Sequence, residues 1–299
     1  MQLRTEQAAL EGDVDHGKAV ADRSSFRELS RANILVALAS RSYQNLRSTF
    51  RIVRARQLSP RLAIRIPGWQ FPTTIILSCI AVASLILDAP VGSFRGQWPH
   101  WLHQAAGVTT DLGLGGWYIV PSATVLLIVN FTDWRRFVGK PLLALYNWTG
   151  IAAFVLISTG LSGLIVTLVK RLIGRARPVH YLDEGAFALH PFAVDSSFAS
   201  FPSGHSTTVG AVGAVLVLFF PKMRFLIIPV AVWIASTRIV VGAHYPSDVI
   251  AGFAFGYAFT IAAAIVFARL GYLFRQENSG FPVLRQPLYF SISKSPRRP

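Results

Sequence analysis

Apolar and polar positions fall in long blocks along this chain, not in the short alternation of a soluble fold. Residues 1–70 mix twelve Arg or Lys with six Asp or Glu. Within them, a capping box from Ser25 to Glu28 opens a run in which Phe26, Leu29, Leu35, Leu38, Leu46, Phe50 and Val53 interleave with Arg27, Arg31, Arg41, Arg47, Arg51 and Arg54. That spacing predicts a basic amphipathic helix lying on an anionic membrane face. Six apolar segments follow. Phe71 to Leu87, Leu112 to Phe131 and Pro141 to Val169 carry no charge, and each can span a hydrocarbon core of roughly 30 Å. The fourth runs from Ser206 to Phe220 and the sixth from Val249 to Ala268. The fifth, Phe225 to Thr237, is short and meets Arg238, which must face a cavity or a partner if the helix continues. The expected architecture is all-α, a polytopic membrane helical bundle of six transmembrane helices with both termini cytoplasmic. Residues 1–70 form its basic N-terminal segment, 71–270 the six-span domain and 271–299 a basic tail.

Composition sharpens this picture. Apolar residues make up 52% of the 299 positions and charged residues 14%, against about 25% charged in an ordinary soluble domain. With a mean hydropathy of +0.45, the chain is neither disordered nor an ordinary soluble domain. Its net charge of +15 would suggest a nucleic-acid partner in a soluble protein, but the distribution argues for a lipid bilayer and no nucleic acid. With the N-terminus inside, 23 of the 29 basic residues fall in cytoplasmic segments, as the positive-inside bias requires. The exceptions are Arg95, the group Lys170, Arg171, Arg175 and Arg177, and Arg238. Basic residues placed against the rule need another reason to be there. The single cysteine, Cys79, lies in an apolar run, allows no intramolecular disulfide, and reads as a small core or lipid-facing residue. No early apolar h-region marks a cleavable signal peptide.

The chemistry-bearing residues gather at the outer ends of the expected spans. Lys170 and Arg177 follow the third, Pro202-Ser203-Gly204-His205 precedes the fourth, and Arg238, His244 and Asp248 lie where the fifth meets the sixth. Three cations, two histidines and one carboxylate describe an anion site with acid–base machinery, and no further Cys, Glu or Asp is at hand for a metal cage. Ser203 and Gly204 stand at a helix start, where backbone N–H groups and the helix dipole favour a phosphate. His244 and Asp248 are four apart, one helical turn, so a carboxylate can fix the imidazole tautomer and leave the other nitrogen free to attack.

Taken together, KRLIGRARP (Lys170 to Pro178), PSGH (Pro202 to His205) and TRIVVGAHYPSD (Thr237 to Asp248) resemble the three motifs of the type 2 phosphatidic acid phosphatase superfamily. The resemblance covers residues 170–248 at motif level. It implies that His244 attacks phosphorus and forms a phosphohistidine, that Asp248 orients the imidazole, and that His205 protonates the leaving lipid oxygen. Lys170, Arg177, Ser203, Gly204 and Arg238 would hold the phosphate, with no metal and no cofactor. Where the family usually has Ser before the third-motif arginine, this chain has Thr237, which keeps a hydroxyl to tune phosphate binding. Arg171 and Arg175 read as extra phosphate contacts or head-group anchors. His180 and His190 read as solvated loop residues, Asp183, Glu184 and Asp195 as loop charges, and Trp98, His100, Trp101 and His103 as an interfacial patch.

The expected activity is metal-independent hydrolysis of a membrane lipid phosphomonoester or diphosphate, in a bacterial cell at the periplasmic face of the inner membrane. Undecaprenyl diphosphate, phosphatidylglycerophosphate, phosphatidate and lipid A are all candidate substrates. A lipid phosphotransferase would use the same phosphohistidine, and a non-catalytic anion or lipid transporter would use only the cations. The sequence does not specify an oligomeric state.

Overall fold

The computed structural model describes residues 33–50, 68–277, 281–285 and 288. They divide into two compact units, one comprising residues 33–50 and 130–136 and the other residues 68–129, 137–277, 281–285 and 288.

In the first unit, residues 33–50 form helix α1, with Leu35, Leu46 and Phe50 exposed. Asn45 donates from Nδ2 to the carbonyls of Asn130 (2.6 Å) and Thr132 (3.0 Å), and Asn130 Nδ2 donates to Ser42 Oγ (2.7 Å). A helix is therefore present over this stretch, within the run read as an amphipathic helix. Its capping box at Ser25 and Glu28, and Arg51, Val53 and Arg54 at its far end, lie outside the described residues.

The second unit is a helical bundle. Its elements are α2 (Gln70–Ser93), α3 (His100–Thr110), α4 (Gly116–Phe131, whose last two residues belong to the first unit), α5 (Lys140–Ile173), α6 (Gly204–Phe219), α7 (Arg224–Val240) and α8 (Pro246–Arg269). Five helical stretches are long and apolar enough to cross a membrane: α2, the α3–α4 stretch His100–Phe131, α5, Pro221–Val240 and α8. The helix at the fourth expected span, α6, is shorter, at 16 residues. The fifth expected span, which looked short, runs through Arg238 to Val240. Cys79 is exposed on α2, as a lipid-facing residue would be.

Small residues let two helices meet backbone to backbone. A side chain at Gly252 would collide with the Ser203 carbonyl, and one at Gly256 with the Thr207 carbonyl. Such contacts bring α6 and α8 together where two apolar helices in lipid gain nothing from hydrophobicity itself. Away from the Gly204 end of α6, the core is aromatic: Phe154 meets Phe274 at 4.8 Å and Phe267 at 5.3 Å between ring centroids. On that cluster sits a departure from an all-α fold, an antiparallel hairpin of β1 (Phe274–Gln276) and β2 (Pro282–Leu284). Phe274 and Leu284 are buried in the cluster. The polar, titratable residues collect at the opposite end, where α2, α5 and α7 finish and α6 and α8 begin.

Candidate active site

Each motif is positioned by a helix end. Helix α5 stops at Gly174, in the left-handed region at φ 66°, where a side chain would strike the His190 carbonyl. The chain then leaves extended and is braced by the loop that leads to α6. Ala176 N–H donates to the Ala188 carbonyl (3.0 Å), Arg177 N–H to Ser197 (2.8 Å), and Ser200 N–H to Arg175 (3.0 Å).

Ser203 caps α6: its Oγ accepts from the Ser206 N–H (3.4 Å) and the Ser206 hydroxyl (2.9 Å). Its own N–H does not face an anion, as the sequence suggested, but donates to the Asp248 carbonyl (3.0 Å) and ties the start of α6 to that of α8. Ser203 is fully buried; with its Oγ accepting twice, its hydroxyl proton is the donor it has left. The first-turn amides of Gly204 and His205 have no acceptor within the helix. A Cβ at Gly204 would meet nothing nearer than Lys170 Nζ, at 3.9 Å; glycine there keeps open a space beside the ammonium that packing does not require.

The third motif turns from α7 into α8. Arg238 sits in the last turn of α7, and its carbonyl accepts from the N–H groups of Ala243 (3.0 Å) and His244 (3.2 Å). Arg238 Nη1 donates to Thr110 Oγ1 (2.9 Å). The Nε atoms of Arg177 and Arg238 are buried without a partner, an expensive state for a guanidinium donor unless a ligand completes it. The charges of Arg238, His244, Arg177 and Lys170 all act on His205, and those of Arg177 and Arg238 on His244. Residues separated by up to 78 positions in sequence, Lys170 to Asp248, thus share one site.

His244 is 2% exposed. Its Nδ1 lies 3.6 Å from Asp248 Oδ2, longer than the direct hydrogen bond that the spacing suggested. Ser200 fills the gap: its hydroxyl donates to Asp248 Oδ2 (2.5 Å) and its Oγ is 3.4 Å from His244 Nδ1. With its proton given to the carboxylate, Ser200 Oγ offers Nδ1 a lone pair, which favours Nδ1–H and leaves Nε2 as the basic nitrogen. Burial pushes the His244 imidazole down from its ordinary value, with Asp248 opposing.

Arg175 is the main correction to the sequence reading. It is neither a phosphate contact nor a head-group anchor, because all five of its N–H donors are used inside the protein. Nη1 donates to Ser247 Oγ (2.8 Å) and Asp248 Oδ1 (2.6 Å), Nη2 to Asp88 Oδ2 and the Ala186 carbonyl (both 2.8 Å), and Nε to the same carbonyl (3.1 Å). The guanidinium also stacks over the Tyr245 ring at 4.6 Å. Arg171 likewise serves the loop, donating to the carbonyls of Ala193 (3.1 Å) and Val194 (2.5 Å). Thr237 spends its hydroxyl on the Ile234 carbonyl (2.6 Å) and is buried, so it is not presented to a phosphate. His180 is stacked on Phe198 with centroids 4.6 Å apart, and His190 pairs with Glu184 at 2.6 Å, so neither is simply solvated. Asp195 accepts from the Ser197 N–H (2.9 Å) as a local cap. Asp88, Ser200 and Ser247 were not singled out in the sequence. The available sign for Asp88 was a carboxylate directly after an uncharged run.

The arrangement places a buried histidine, His244, among the cations Arg177 and Arg238, and comparison with known proteins shows the family to which the chain belongs. The PAP2 superfamily profile matches residues 151–272. The lipid A 1-phosphatase of Rhizobium johnstonii is 42% identical over 227 residues, covering 73% of this chain and 88% of that protein. The lipid A 1-phosphatase of Rhizobium etli is 41% identical over 229 residues, covering 76% and 96%. A crystal structure of a transmembrane PAP2-type phosphatidylglycerolphosphate phosphatase from Bacillus subtilis is 20% identical, covers 75% of this chain and 94% of its own, and aligns with a TM-score of 0.38. The chain belongs to the PAP2 superfamily. It is a helical, membrane-spanning member of that phosphatase family.

Proposed function

We propose that this protein removes phosphate from a membrane lipid, with the glycosidic 1-phosphate of a lipid A-type glycolipid as the first substrate to test, through a phosphohistidine on His244. The observation that carries the reading is a buried imidazole, its Nδ1 turned to Ser200 and Asp248, in the combined field of Arg177 and Arg238, whose Nε donors lack partners. Two relatives named for lipid A dephosphorylation, matched over most of their length, direct the choice of lipid.

In the proposed reaction His244 Nε2 attacks phosphorus in line, the bond from phosphorus to the lipid oxygen breaks, and His205 protonates that oxygen. Lys170, Arg177, Arg238, the Gly204 amide and the Ser203 hydroxyl hold the equatorial oxygens, where charge is stabilised during transfer. Water, deprotonated by His205, then attacks phosphorus and returns the electron pair of the phosphorus–nitrogen bond to His244. Six spans, with α6 as the fourth, would place this chemistry on the outer face and both termini in the cytoplasm.

The test is phosphate release by detergent-purified protein in EDTA from lipid A, phosphatidylglycerophosphate, undecaprenyl diphosphate and phosphatidate, with His244→Ala beside it. Release from lipid A that vanishes in the variant is the expected result. Release that survives in His244→Ala overturns the phosphohistidine. Transfer to an added lipid, with no free phosphate, would make the protein a phosphotransferase.

A further inference from the structure

Asp88 is a buried charged residue that the proposed reaction leaves unused. It lies on α2, fully buried, directly after a π-helical turn over Ala83–Leu87. Such turns add a residue to the helix and re-aim the side chains beyond them. Its Oδ1 accepts the Ser247 N–H (3.0 Å), its Oδ2 accepts the Ser247 hydroxyl (2.5 Å), and Oδ2 is also paired with Arg175 Nη2 (2.8 Å). Ser247 is in the first turn of α8, so a carboxylate from another helix caps the element that carries Asp248.

We infer that Asp88 and Arg175 are positioning residues for the nucleophile, fixing Asp248, and through it His244, by a buried Asp88–Arg175–Asp248 chain that also runs through Ser247. The inference rests on the reading of His244 as nucleophile.

Two physical arguments support it. The first is geometric. Asp248 Oδ1 is held by Arg175 (2.6 Å), while Oδ2 is held by Ser200 (2.5 Å) and the Tyr245 N–H (2.9 Å), so rotation about the carboxylate breaks a bond on either side. Removing Arg175 frees one oxygen of the group against which His244 is aligned. The second is electrostatic. Arg175 alone beside Asp248 would cancel the charge needed to stabilise a cationic imidazole, whereas a second carboxylate at Asp88 leaves the buried group with one net negative charge. The five saturated donors of Arg175 also exclude the simpler explanation that it binds the substrate.

The chain predicts a separation of effects. Lys170, Arg177, Arg238 and the Gly204 amide are untouched by changes at Asp88, so affinity for a phosphate mimic is expected to persist while turnover falls. The experiment compares Asp88→Asn, Arg175→Lys and Ser247→Ala with the wild-type protein and His244→Ala. The readouts are kcat and KM for the best lipid substrate of the panel, the inhibition constant for orthovanadate, and the thermal unfolding midpoint in detergent. Expected for Asp88→Asn and Arg175→Lys is a fall in kcat of about 10²-fold, the order associated with misplacing a reacting group by an ångström. KM and vanadate inhibition stay within about threefold in a protein that still unfolds cooperatively. Ser247→Ala, the mildest change, is expected to lose less than either.

Unchanged kcat in a folded Asp88→Asn variant overturns the inference. So does a raised KM with kcat intact, which would make Asp88 part of substrate binding, or a loss of kcat that merely follows the fraction unfolded across all three variants. If the wild type releases no phosphate, or His244→Ala retains activity, the functional reading fails first and is recognised as that failure.

Discussion

At the residue scale, the motifs were legible because each is a local pattern: Ser203 beside Gly204, or His244 one turn before Asp248. What was not legible is the support behind them. Asp88 and Arg175 are 87 positions apart, and Ser200 is one hydroxyl in a serine-containing loop; only the fold shows which of them touches Asp248. Ser200→Ala removes the atom between Asp248 and His244 Nδ1, and kcat is expected to fall about tenfold with vanadate inhibition retained. This checks that the bridge, and not a direct bond, sets the tautomer. The pH dependence has a definite sign as well. Protonated His244 cannot attack, and burial lowers its pKa against the opposing pull of Asp248, so more of the imidazole is neutral at a given acidic pH than in a free histidine. The acid limb of kcat/KM is therefore expected below about 6.5, the ordinary histidine value. A limb at or above that value, still present in His205→Asn, would count against it.

At the scale of elements, long uncharged runs placed the helices well, since a helix satisfies its backbone groups in lipid within its own segment. Their ends were less legible. Helix α6 stops at Phe219 because the chain breaks from helical geometry at Phe220 and turns at Pro221. Helix α7 continues past Thr237 because Arg238 finds Thr110. The β1–β2 hairpin had no visible signal; three-residue strands acquire their shape by burying Phe274 and Leu284 in the cluster with Phe154 and Phe267. The α6–α8 contact gives an element-scale prediction. Gly256→Leu drives a side chain against the Thr207 carbonyl and is expected to lower stability by at least about 1–3 kcal/mol, as overpacking does. Because Ser203 and Asp248 ride on these helices, activity should be lost as well. A variant with an unchanged thermal midpoint would show that the helices separate freely.

At the scale of the molecule, the inside and outside of the bundle can be read directly by labelling. In a Cys79→Ser background, a single cysteine at exposed Phe187 and another at exposed Met223 are expected to react with an impermeant maleimide from opposite sides of the membrane. Reaction from the same side would remove α6 from the count of spans. The length of α6 carries a further consequence for selectivity. Sixteen residues make a helix about 24 Å long, some 6 Å less than a hydrocarbon core of about 30 Å. If α6 is the fourth span, as proposed, and Lys222 and Arg224 hold its far end at one interface, its first turn and the Gly204 amide would sit below the opposite one. On that topology depth would act as a filter: a phosphate carried on a lipid already lies near that level, whereas a water-soluble ester must leave the aqueous phase to reach it. Short soluble phosphates such as p-nitrophenyl phosphate are accordingly expected to be turned over poorly beside the lipid.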